Sequence, residues 1–171
     1  MNFNLADLAN ISEVIGAIAI VVSLIYVGVQ VADSTRAVRS ASANETSSAM
    51  SSWYLQIGSD LQSSKVFRRG TAQPETLSED ELFQFIFQMH AMFIQFQGAY
   101  YLSQEGTLDI ELQESITNAI LGVRDQPGFN KYWGQRKDLF KPDFRKYINR
   151  LIAEGVTNKN MEQLYQSPKH E

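Results

Sequence analysis

The sequence predicts an all-α protein in which one N-terminal transmembrane helix continues into a soluble helical bundle domain. Three observations lead there. Residues 14–32, VIGAIAIVVSLIYVGVQVA, carry no charge over nineteen positions. Ser78-Glu79-Asp80-Glu81 is a capping-box pattern that opens a second uncharged, apolar stretch. Pro127 and Pro142 stand where the first turns of further helices would begin. With 171 residues, 44% of them apolar and 11% aromatic, the chain has material for one domain with a real core, which excludes a disordered or collagen-like chain.

Taken in order, residues 14–32 as a helix rise about 28 Å, close to the ~30 Å hydrocarbon core of a bilayer. Eleven of the nineteen are Ile, Leu or Val, a gross gain on insertion of about 3 to 7 kcal/mol. β-branched residues suggest a strand in water, but nineteen residues far exceed a usual strand of about 3 to 10. Two rivals are weaker. A cleaved leader would want a basic start, and no Lys or Arg precedes Arg36. A buried core helix would need apolar cover on every side. Asp7 and Glu13 before the segment, against Arg36 and Arg39 after it, place the C-terminal side in the cytoplasm.

The expected organisation is a short extracytoplasmic N-terminus over residues 1–13, the membrane helix over 14–32, a helical extension over 33–64, a helical domain over 65–155 and a polar tail over 156–171 with room for a short helix at 161–165. The extension is small and Ser-rich, with Val38, Met50, Trp53, Leu55, Ile57 and Leu61 to bury. Gly70 and Pro74 predict a turn over residues 70–76. The helix opened by Ser78 runs to about Gln104, its five phenylalanines filling the core. A second membrane pass there is disfavoured by four glutamines and His90. Leu108 to Leu121 shows helical periodicity with Asp109 and Glu111 in its first turn; a short helix follows Pro127 through Lys137, and a last long one follows Pro142.

One line of the membrane helix differs from the rest. Ser12, Gly16, Ala19, Ser23, Tyr26 and Gln30 recur at steps of four and three, a seam where small residues let helices approach and Ser23 and Gln30 can hydrogen-bond across. The seam predicts homo-oligomerisation in the membrane; the alternatives are an ordinary scatter of small residues, or a pore face with Glu13 near its mouth. Charge is also blocked along the chain. Residues 70–123 hold eight acids and no Lys or Arg, whereas residues 124–150 hold eight basic residues against three aspartates. Lys137, Lys141, Arg145, Lys146 and Arg150 form a candidate basic contact surface, for an acidic helix of the same domain, a neighbouring subunit or lipid headgroups.

Catalysis is not expected. Cysteine is absent, the histidines are His90 and His170 alone, and the carboxylates already have helix-start explanations, so neither a cofactor nor a metal is expected. A formal charge of −4 argues against nucleic acid. The expected partners are membrane lipid, further copies of the chain and an unidentified protein. Two function classes stay open: a membrane-anchored interaction or structural protein, and a homo-oligomeric ion-conducting or ligand-sensing protein whose small, polar helix face lines a pore.

The motifs YVGVQVADSTRAVR, FRRG, LSEDELFQF, GTLDIEL and PGFNKYWGQRKDLFKPDFRKYINRL are most specific at Arg68-Arg69-Gly70, Gly106, Pro127-Gly128, Trp133 and Arg136. Together they cover nearly the whole length, and the chain resembles a widespread family of small, uncharacterised bacterial membrane-anchored proteins. The resemblance implies one N-terminal membrane helix, a helical domain and an inner-membrane location, and it implies no activity or site residue.

Overall fold

The computed structural model describes residues 5–154, all-helical apart from short turns. The order is α1 (Leu5–Gly58), α2 (Leu61–Ala72), a 3-10 turn (Pro74–Thr76), α3 (Glu79–Gln104), α4 (Ile110–Leu121), α5 (Pro127–Arg136), a second 3-10 turn (Lys137–Leu139) and α6 (Pro142–Glu154). The tail expected over 156–171 and its short helix at 161–165 lie outside the described residues. Packing divides the chain into two units, the first ending at Ala41 and the second beginning at Ser42.

In the first unit every side chain described, over residues 9–41, is exposed. Among the described residues, α1 is the one helix long and apolar enough to cross a membrane, with a mean hydropathy of 2.5 over its most apolar 18-residue window. Leu24 is 66% exposed, Ile20 63% and Ile25 63%. Such side chains gain nothing from water, and nothing in this unit covers them.

The second unit is built around α3. Ser78 accepts from the Glu81 N–H, and the Glu81 carboxylate accepts from the Ser78 N–H at 2.9 Å, closing the capping box the sequence predicts. Arg69 of α2 donates to the same carboxylate at 3.0 Å and to the Thr76 carbonyl at 2.6 Å, tying the turn before α3 to the helix before it. The Ser78 backbone N–H chiefly, with the Arg69 guanidinium, holds the Glu81 carboxyl below its ordinary value against a partial opposing effect of desolvation. Asp109 caps α4 by accepting from the Glu111 and Leu112 N–H groups. Gly106, at φ +70°, makes the left-handed turn that ends α3, and the Thr107 and Leu108 N–H groups both donate to the Leu102 carbonyl.

Phe93 is fully buried at the centre, its ring 5.1 to 5.9 Å from those of Phe96, Phe129, Tyr132, Trp133 and Phe140. Phe144 and Ile148 of α6, Ile120 of α4 and Val66 of α2 complete the interior. Trp53 brings in the end of α1, its indole N–H donating to the Gln88 carbonyl at 2.9 Å. Several polar groups of the interior are paired: Gln113 donates to the Tyr147 hydroxyl at 2.9 Å, that hydroxyl shares a hydrogen bond with Thr117, and the Trp133 N–H donates to Asn149 at 2.9 Å.

Three expectations need correction. The extension over 33–64 is not one helix: it stops at Gly58, and Asp60 restarts it by accepting from the Ser63 N–H at 2.6 Å. Gly70 does not open a turn, because α2 runs through it to Ala72. A Cβ at Gly70 would strike the Phe85 ring, and one at Gly128 would strike the Gly70 carbonyl, so these glycines mark where α2, α3 and α5 touch. Finally, α3 does not bury all five phenylalanines. Phe85, Phe93 and Phe96 are inside, whereas Phe83 is 65% exposed and Phe87 57%.

Candidate functional site

The residues singled out for association in the membrane all lie on α1 and are exposed: Ser12, Gly16, Ala19, Ser23, Tyr26 and Gln30. Two of the polar groups are engaged within the helix. The Ser23 hydroxyl donates to the Ala19 carbonyl at 2.8 Å, and the Gln30 amide donates to the Tyr26 hydroxyl at 2.8 Å. Helix-internal pairing lets a hydroxyl sit in an apolar setting without an unsatisfied donor. Gly16 has open space around its Cβ position. The line therefore presents a shallow surface whose donors are already partly satisfied, suited to close backbone approach.

Of the basic candidates, Lys137 falls on the second 3-10 turn, Lys141 between that turn and α6, and Arg145, Lys146 and Arg150 on α6. Arg145 pairs with Asp138, and Lys146 with Asp143 at 3.3 Å. Lys141 lies over the Tyr101 ring at 4.5 Å and Arg150 over the Tyr147 ring at 5.7 Å. Lys137 is half-buried in the turn itself. The ion pairs shown for this block are thus made to the block's own aspartates. What joins α6 to the acidic helices α3 and α4 is aromatic packing, Tyr100 stacked on Tyr147 at 4.8 Å, and the Gln113–Tyr147 hydrogen bond. Tyr100, Asp143, Lys146, Tyr147 and Arg150 also line a shallow depression of about 270 Å³, a mixed-charge surface with no single sign to select an anion.

His90 is half-buried, its Nδ1 2.8 Å from the Tyr132 hydroxyl and its ring 5.3 Å from that of Phe140. Burial, and then the Arg136 guanidinium, lower its pKa, while burial pushes the Tyr132 phenol up. Both groups stay neutral around pH 7 and act as a hydrogen-bonded pair at the edge of the core.

A further exposed surface is the outer face of α3. Phe83, Phe87, Ala91, Ile94 and Gly98 recur at steps of four, four, three and four, and all are exposed. The Phe83 and Phe87 rings sit 4.4 Å apart. The two rings form part of the wall of a groove of about 530 Å³, lined also by Trp53, Ile57, Ser63, Gln88 and Ala91. Gln88 donates to Ser63 at 2.7 Å, but its Oε1 is buried with no hydrogen-bond partner. The signal for this face is present in the sequence as spacing, in the same helical repeat that marks the membrane seam. Compared with protein-family models, curated proteins and solved structures, the chain matches none.

Proposed function

We propose that this is a single-pass membrane-anchored interaction protein of a bacterial inner membrane, with residues 14–32 in the bilayer, the second unit in the cytoplasm, and self-association through the Gly16, Ala19 and Ser23 line. The observation that carries it is that the uncharged apolar stretch over residues 14–32, long enough to span, lies exposed along its whole length. In water that surface is a liability; in lipid it is the anchor. Backbone groups of a continuous helix are satisfied internally, as a bilayer requires. The chemistry of the second unit supports binding over catalysis: its acids cap helices, its histidine pairs with a tyrosine, and its cations sit on neighbouring aspartates and rings.

Membranes washed with carbonate test the anchor: the protein stays with the lipid pellet, and release into the wash refutes it. Association through the seam is tested by Gly16→Leu and Ala19→Leu in the full chain. Both disturb close packing, while Ile18→Leu and Val22→Leu, where the side chain is already large, leave the oligomer intact. Equal sensitivity of the two faces would contradict the seam.

A further inference from the structure

We propose that the uncharged outer face of α3 is a second self-association surface, on which α3 of another copy of this chain packs with its Phe83–Phe87 ridge against the groove beside Gln88. This rests on the self-association proposed above and gives it a contact outside the bilayer.

Four observations converge on that occupant. The exposed line from Phe83 to Gly98 covers about 22 Å of helix at roughly 1.5 Å per residue, long enough for a helix-to-helix contact. Ridge and groove lie on the same face, so the patch is complementary to itself, as a two-fold contact demands. Residues 82–104 carry no charged side chain in a chain that is 20% charged. A two-fold contact sets a patch against its own copy, where like charges repel, and this face brings none; a partner selected by charge would find nothing to read on it. The Gln84 side chain, exposed at the groove's rim, carries both donor and acceptor, so two copies related by a two-fold can hydrogen-bond to one another there.

Size is consistent with the assignment. Phe83, Phe87 and Ile94 each leave half or more of their surface exposed. With the groove walls they offer on the order of 600–800 Å², near the ~800 Å² per partner of a standard interface. Anchoring in one membrane plane raises the effective concentration of the two faces for each other.

The test uses the full chain in detergent and in nanodiscs. Phe83→Glu with Phe87→Glu, at two exposed positions, weakens self-association at least tenfold while helicity and the melting temperature hold. Because the natural chain has no cysteine, Ala91→Cys reports directly: it crosslinks copy to copy through a short bismaleimide, whereas Asn130→Cys on α5 does not. Association unchanged by the glutamates, together with no Ala91→Cys crosslink, overturns the proposal; if Gly16→Leu still disperses the oligomer, the membrane seam alone survives. A wild-type chain monomeric in both media overturns this surface and the seam together. Loss of binding to phosphatidylcholine vesicles with association unaltered assigns the face to lipid and overturns the proposal as well.

Discussion

Replacing Gly128 by alanine adds one methyl group at the tightest place in the second unit. Gly128 lies in the first turn of α5, and a Cβ there would fall onto the backbone carbonyl of Gly70 in α2. Backbone cannot step aside as a flexible side chain can, so α2 and α5 must separate. Separation loosens Phe129 and Tyr132, both fully buried against Phe93. Overpacking of this kind costs about 1–3 kcal/mol and sometimes more. Gly134, also in α5, is the internal control: it is exposed and an added Cβ meets nothing within 4 Å. Alanine there stabilises by about 0.4–1 kcal/mol through helix propensity and a less flexible unfolded chain. The two substitutions should therefore differ in sign and by roughly 1.4–4 kcal/mol. With about 2–4 °C per kcal/mol for a chain of this size, the gap in melting temperature is readable. Trp133 fluorescence follows α5 during thermal unfolding of the full chain in detergent. A Gly128→Ala protein as stable as Gly134→Ala would refute the claim that these helices touch backbone to backbone.

Two further outcomes follow from the interior. His90 has a lowered pKa, so its neutral form contributes stability in full above the unfolded value of about 6.5, and that contribution is lost as pH falls through the folded value; wild type should lose more melting temperature than His90→Gln between pH 7 and 5, and parallel losses would contradict the pairing with Tyr132. Tyr147→Phe removes one hydrogen-bond partner from the buried Gln113 amide and the Thr117 hydroxyl, which keep each other and the helix carbonyls of Gln113 and Glu114, so it should cost about 0.5–1.5 kcal/mol in chemical denaturation, and a neutral change would contradict a net contribution from the phenol.

What the sequence disclosed and what it hid divide along distance in the chain. Helix starts at Ser78, Asp109, Pro127 and Pro142 are legible because a cap involves residues within about four positions of one another. Gly70 is misread as a turn residue because the reason for it is the arrival of Phe85 and Gly128. Residue type does not distinguish Phe83 and Phe87 from Phe85, Phe93 and Phe96; the positions of α1, α2 and α5 around α3 decide which rings are covered. Charge summed over segments hides that Asp138 and Asp143 already sit beside Arg145 and Lys146. The small and polar line on α1 is legible as spacing, but spacing does not show that Ser23 and Gln30 spend their donors within the helix.

The central claim, an anchor over residues 14–32 with the second unit in the cytoplasm, is tested most directly by labelling single cysteines in a chain that has none of its own. Gln135→Cys, at an exposed position of α5, reports on the second unit, and Asn10→Cys, also exposed, reports on the segment before the span. An impermeant maleimide added to intact inner-membrane spheroplasts should label Asn10→Cys and spare Gln135→Cys until the membrane is permeabilised. Labelling of Gln135→Cys from outside intact cells, or protection of both positions until lysis, would contradict it.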